Sequence, residues 1–154
     1  MARTDYFDDP AAPAANSLVV AVVVVVVDEG RILMLQRTDN GRWALPGGGQ
    51  ELGESVRDAA IRETREETGI DIGITGVIGI YSDPRHVIAY DDGEVRQEFA
   101  LCLSARRIGG SLATSEESRQ VRWVSHDDLD HLNASDSTRL RIHHAFSQGP
   151  PHID

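Results

Sequence analysis

Apolar and polar positions change their period several times along the chain, and each change marks an element. Residues 18–27 read LVVAVVVVVV, ten apolar positions with no polar break. Valine dominates, and its branched Cβ favours extended backbone. The run is half the roughly 20 residues that a membrane-crossing helix needs. The residues before it are acidic and rich in Pro and Ala, unlike the basic start of a secretory signal. It predicts a strand buried on both faces. Asp28-Glu29-Gly30 is a turn signal and residues 31–36 form a second apolar run, so the two runs predict a hairpin.

The period then lengthens. Over 55–68 the positions Val56, Ala59, Ala60 and Thr64 make a narrow stripe at helical spacing. Ser55 with Asp58 three residues on suits the start of that helix, and Gly69 suits the left-handed residue past its end. Residues 72–82 and 94–105 read as strands, the second alternating around Phe99, Leu101 and Leu103. Asp91-Asp92-Gly93 is a turn before it, and 119–124, carrying Trp123, is a further strand. Residues 126–146 read as helix in two pieces broken near Asn133. Residues 1–16 are expected to be a flexible lead-in, 17–146 a single domain, and 147–154, with Gly149-Pro150-Pro151, a frayed tail. Strands and helices without strict alternation predict an α/β (α+β) fold, a mixed sheet with helices on its faces.

Composition narrows the function. The 154 residues make one ordinary domain with a core. A formal charge of −10 would repel a polyanion, so no nucleic acid polymer is expected, and a phosphate substrate should be small and metal-neutralised. Cys102 is the single cysteine, cannot form an internal disulfide and reads as a buried filler. No membrane partner is expected, and a cytoplasmic location follows by default. A monomer and a homodimer both remain open.

The chemistry concentrates in residues 47–70, GGGQELGESVRDAAIRETREETGI. On a helix Glu63 lies beside both Glu66 and Glu67, and like charges so placed repel by roughly 0.2–0.5 kcal/mol per pair. Glu66 and Glu67 also fall in the last turn, where the helix dipole disfavours negative charge. One reading is a solvated face balanced by Arg62 and Arg65. The other is that a divalent cation supplies the missing charge, since carboxylate oxygens are hard ligands suited to Mg2+ or Mn2+. Pro46-Gly47-Gly48-Gly49 lets backbone approach a ligand closely. It lacks the Gly-Lys-Ser/Thr ending of a phosphate-binding P-loop.

The segment resembles the signature of the Nudix hydrolase family: Gly, five residues, Glu, seven residues, then Arg-Glu-apolar-any-Glu-Glu-any-Gly-apolar. This chain supplies Gly48, Glu54, Arg62, Glu63, Thr64, Glu66, Glu67, Gly69 and Ile70. The one departure is Thr64, where the family usually has an aliphatic residue. The resemblance implies an α/β/α sandwich and Mg2+-dependent cleavage of a diphosphate linkage. It implies Glu66 and Glu67 as metal ligands, Glu63 as a further ligand or the base, and the Gly47 carbonyl as another ligand. Gly48, Glu54, Arg62 and Gly69 are supporting residues, with Arg62 orienting the carboxylates.

A base from outside the signature is also implied. The family spacing, six residues before a strand tryptophan, picks Glu117 relative to Trp123. Glu116 and Glu98 are the other candidates. Arg37 and Arg42 are weaker candidates for phosphate contact, and Tyr81 and Trp43 for stacking on a base, although Trp43 is better read as packing. The six histidines show no zinc-ligand spacing. Two substrate classes fit: nucleoside triphosphates, including oxidised ones, and nucleoside diphosphates linked to a second group, such as ADP-ribose. The short chain favours the triphosphate. A non-catalytic nucleotide-binding module is the contrasting reading. Such modules typically lose signature carboxylates, and all are present here.

Overall fold

A computed structural model describes residues 2–154. The strands are β1 (Arg3–Phe7), β2 (Ser17–Asp28), β3 (Arg31–Arg37), β4 (Trp43–Ala44), β5 (Gly47–Gly49), β6 (Ile70–Tyr81), β7 (His86–Tyr90), β8 (Val95–Gly110), β9 (Ser118–Val124) and β10 (His152–Ile153). The helices are α1 (Val56–Thr68), α2 (His126–Leu129) and α3 (Asp136–Phe146). None of these helices is long and apolar enough to cross a membrane.

The valine run is the spine. β2 pairs in parallel with β8 from Ser17↔Arg96 to Val27↔Arg106. On its other edge it takes β5 antiparallel at Val22↔Gly48 and then β3 through the hairpin Asp28↔Arg31. The central turn residues Glu29 and Gly30 both have positive φ, 50° and 75°, as a tight two-residue hairpin requires. β3 continues the sheet to β4 and β9, and β6 and β7 add to the far edge of β8. Parallel and antiparallel pairs occur in one sheet, so the predicted mixed sheet is present.

Each face of the sheet buries its own core. One combines Val22, Val24, Val26, Leu33, Ile70, Ile72 and Leu103 with Ala59 and Ala60 of α1. The other combines Val25, Met34, Trp43, Leu45, Ala100 and Cys102 with Leu129 and Ile142 of α2 and α3. The result is an α/β/α sandwich. Cys102 is fully buried, and burial pushes its thiol up to about 12. Only the C-terminal half of β2 is buried on both faces. Leu18, 64% exposed, and Val20 extend past the cover of α1.

Both chain ends differ from expectation. Residues 3–7 of the lead-in form β1, which pairs over five residues with β7, a strand the pattern did not predict. In the tail, β10 runs parallel to β6 at His152↔Gly79 and Ile153↔Ile80. The Asp154 carboxylate accepts the Ser82 and Asp83 N–H groups at 3.0 and 3.3 Å. A Cβ on Gly79 would lie 2.7 Å from the His152 carbonyl oxygen, so the glycine admits the tail. β1 and β10 therefore extend the same sheet.

Candidate active site

Three segments converge at the C-terminal end of α1. The first is the glycine strand β5. Gly48 sits in register with Val22, and a Cβ there would lie 2.4 Å from Glu63 Oε1. The missing side chain is therefore the space the Glu63 carboxylate occupies. The Gly47 N–H donates to Glu67 Oε1 at 2.9 Å.

The second segment is α1 itself. Ser55 Oγ accepts the Asp58 N–H (3.1 Å) and Asp58 Oδ2 accepts the Ser55 N–H (3.0 Å), a reciprocal cap that fixes where the helix starts. Gly69, at φ 78°, ends it, with its N–H on the Arg65 carbonyl. That phase places Glu63, Glu66 and Glu67 together. Arg62 holds their near side: Nε and Nη2 grip both Glu54 oxygens at 2.6 and 2.8 Å, and Nη1 reaches Glu63 (2.9 Å) and Glu66 (3.3 Å). Arg62 also donates to the Gly49 carbonyl at 3.1 Å, tying helix to glycine strand. This bidentate grip holds the Glu54 carboxyl at about 2. Arg62 thus bridges Glu54, Glu63 and Glu66, and it claims both oxygens of Glu54.

The third segment is the loop before β9. It carries Glu117, whose charge adds to the rise that burial causes in Glu63 and Glu67. The loop is held by Ser118, whose hydroxyl donates to the Glu67 carbonyl at 2.7 Å. It is also held by Thr38, whose N–H and hydroxyl reach the Glu117 and Glu116 carbonyls at 3.2 and 2.9 Å. Thr38, Ser115 and Ser118 carry no motif that marks them in the sequence. Serines near a strand start are too common to signal one.

The electrostatics are uneven. Glu67 is only 4% exposed, and burial, reinforced by Glu63 and Glu117, pushes its carboxyl up to about 8. Burial likewise raises Glu63, opposed by Arg62. Glu66 is the exposed member, held by its 3.3 Å contact with Arg62. The Arg37 charge reaches Glu67 and opposes the rise, while its guanidinium is held bidentate by Asp39 at 2.9 and 2.6 Å. Buried carboxylates short of positive charge are a donor set that fits a hard divalent cation. Among the described residues, no three carboxylate, imidazole or thiol groups already close a ligand cage. Arg62 stands among the glutamates instead.

Three expected residues lie elsewhere. Glu98 points to the α3 face with Ala100 and Cys102, where Arg141 of α3 pairs with it at 3.5 Å. Strand alternation puts it on the opposite side from α1, which removes it as the base. Tyr81 is 6% exposed, donates or accepts at His144 Nδ1 (2.7 Å), and has Arg141 over its ring. It is a core residue with no open face for a nucleobase. Arg42 is exposed at the β3–β4 turn, its N–H on Asn40. Trp43 is buried beneath the Arg122 guanidinium, as packing predicts.

Comparison with known proteins agrees with this geometry. The family model for the NUDIX domain matches residues 17–145. A MutT-like protein of Streptomyces ambofaciens is 34% identical over 142 residues, covering 92% of this chain and 84% of that protein. The nucleoside triphosphatase NudI of Enterobacter sp. (strain 638) is 38% identical over 106 residues, 65% of this chain and 73% of the relative. Among solved structures, a MutT Nudix hydrolase from Burkholderia pseudomallei superposes with a TM-score of 0.68 at 25% identity, over 84% of this chain and 98% of that one. With the signature intact, its carboxylates gathered on one helix end and the sandwich around them, the chain belongs to the Nudix hydrolase family.

Proposed function

We propose that the chain hydrolyses a phosphoanhydride bond of a nucleoside triphosphate, releasing the nucleoside monophosphate and pyrophosphate, with Mg2+ held by its carboxylate cluster. The observation that carries this reading is the gathering of Glu63, Glu66 and Glu67 at the end of α1, with Arg62 on Glu63 and Glu66, the loop of Glu117 docked on the Glu67 carbonyl, and the most buried carboxyl, Glu67, raised to about 8. A cluster built for helix stability alone would not bury an uncompensated carboxylate. The similarity to a nucleoside triphosphatase supports the substrate class.

Glu66 and Glu67 are the proposed ligands, with Glu63 and the Gly47 carbonyl beside them. When bound, Mg2+ neutralises diphosphate oxygens and acidifies a water. The protein supplies the rest. Gly48 leaves room for the Glu63 carboxylate against the strand, and the Gly47 N–H fixes one oxygen of Glu67. Arg62 keeps Glu63 and Glu66 from swinging apart. Arg37, aligned by Asp39 beside the cluster, offers positive charge to a substrate phosphate. Glu63 is committed to Arg62, so Glu117 is the better proton acceptor. The water oxygen bonds to phosphorus, the bridging P–O bond breaks toward pyrophosphate, and the proton passes through Glu117 to solvent.

The test is a substrate panel with Mg2+: dNTPs, 8-oxo-dGTP, ADP-ribose, NADH and dinucleoside polyphosphates, with products separated by ion exchange. Monophosphate plus pyrophosphate from a triphosphate is the expected result. AMP from ADP-ribose without triphosphate turnover would move the assignment to diphosphate-linked substrates. Absence of turnover throughout would favour a binding module.

A further inference from the structure

The loop before β9 reaches α1 through a chain of hydrogen bonds whose direction is fixed. Ser118 is buried, and its hydroxyl proton goes to the Glu67 carbonyl at 2.7 Å. Ser118 Oγ therefore accepts from Ser115, which supplies its N–H at 3.0 Å and its hydroxyl at 2.9 Å. Ser115 Oγ in turn accepts the Glu117 N–H at 3.2 Å. The path runs Glu117 N–H, Ser115 hydroxyl, Ser118 hydroxyl, Glu67 carbonyl, with every hydroxyl used once as donor.

The Glu67 carbonyl is one of the last four of α1, which lack helical partners. The Thr68 carbonyl is another, and the Ala113 N–H of the same loop meets it at 2.9 Å. The loop is thus the C-terminal cap of the helix that carries the carboxylates. A Cβ on Gly69 would lie 2.2 Å from the Ser111 carbonyl oxygen, so close docking depends on that glycine. From the opposite side Thr38 holds the carbonyls of Glu116 and Glu117.

We infer that Ser118 and Ser115 are positioning residues that set the placement of Glu117 against Glu63 and Glu67, so that helix end and outer carboxylate move as one unit. The inference rests on the proposed role of Glu117 in the site. Neither serine touches the reacting atoms; Ser115 acts through the Glu117 N–H, and Ser118 acts through Ser115 and through the Glu67 carbonyl.

The test uses Mn2+ binding to the substrate-free protein by calorimetry, alongside kcat for a nucleoside triphosphate. Loss of one such hydrogen bond predicts that Ser118→Ala weakens Mn2+ binding and lowers kcat by about 3- to 10-fold each. Ser115→Ala, at a half-buried position, breaks the same path nearer Glu117 and should act in the same direction if Ser118→Ala folds poorly. In a Glu117→Gln background Ser115→Ala should add no further loss of either quantity, because the group it places is already gone. A Ser115→Ala effect that persists undiminished in that background marks a merely structural role and overturns the inference. So does unchanged Mn2+ binding in both serine variants while Glu117→Gln weakens it. If Glu117→Gln itself leaves Mn2+ binding and kcat unchanged, the proposed role of Glu117 fails, and the inference with it.

Discussion

Replacing Glu67 by glutamine should stabilise the metal-free protein while destroying its function. Glutamine is isosteric and still accepts the Gly47 N–H now bound at 2.9 Å. What it removes is a carboxylate that burial, Glu63 and Glu117 push up to about 8, from an ordinary value of 4.5. In the unfolded chain the group ionises near 4.5, so between these values the folded state binds more protons. Folding stability therefore falls as pH rises from about 4.5 to about 8, and stays reduced above. The full shift corresponds to about 5 kcal/mol at 1.36 kcal/mol per unit. Water entry relieves part of it, leaving about 2–3 kcal/mol, or about 5–10 °C in Tm for a chain of this size.

The assay is thermal unfolding in EDTA at pH 5 and pH 9. The variant should melt above wild type at pH 9 and close to it at pH 5. Added Mg2+ should stabilise wild type far more than the variant, and hydrolysis should fall at least tenfold. Equal melting temperatures at pH 9, or a gain independent of pH, would refute the claim that an uncompensated buried charge sits at this position.

Other residues give sharper separations of stability from activity. Thr64 Oγ1 is buried without a hydrogen-bond partner, so Thr64→Val should stabilise by about 1 kcal/mol with kcat unchanged, read by chemical denaturation. Gly48→Ala should do the reverse. Its Cβ would displace the Glu63 carboxylate, a side-chain end, so activity should drop at least tenfold with little change in Tm. Glu98→Gln should cost about 1–3 kcal/mol by weakening the buried pair with Arg141, yet keep kcat within threefold.

Much of the site was legible because local rules and chemistry pointed the same way. Ser55, Asp58 and Gly69 delimit α1 by capping alone, and its phase then places Glu63, Glu66 and Glu67 together. The valine run and the Glu29-Gly30 turn give β2 and β3 by the same local logic. The failures are non-local. Residues 3–7 alternate too briefly to announce a strand, and β1 exists only because β7 lies ready to pair with it. β10 likewise needs the bare backbone of Gly79. Glu98 was eligible as base on strand membership, but which face a strand turns to which helix is decided by packing, and β8 turns Glu98 toward Arg141. Tyr81 looked free to stack, and only the docking of α3 and the tail covers it.

The most direct test of the account is the rate of nucleoside triphosphate hydrolysis against Mg2+ concentration, followed by 31P NMR, for wild type and Glu66→Gln. Glu66 is exposed, so the change leaves the fold intact. Wild-type turnover is expected to rise with Mg2+ to saturation and stop in EDTA, and Glu66→Gln to lose at least tenfold and need more Mg2+ for what remains. Undiminished turnover in Glu66→Gln, or wild-type turnover indifferent to EDTA, would contradict the assignment of the α1 carboxylates as the metal-dependent catalytic centre.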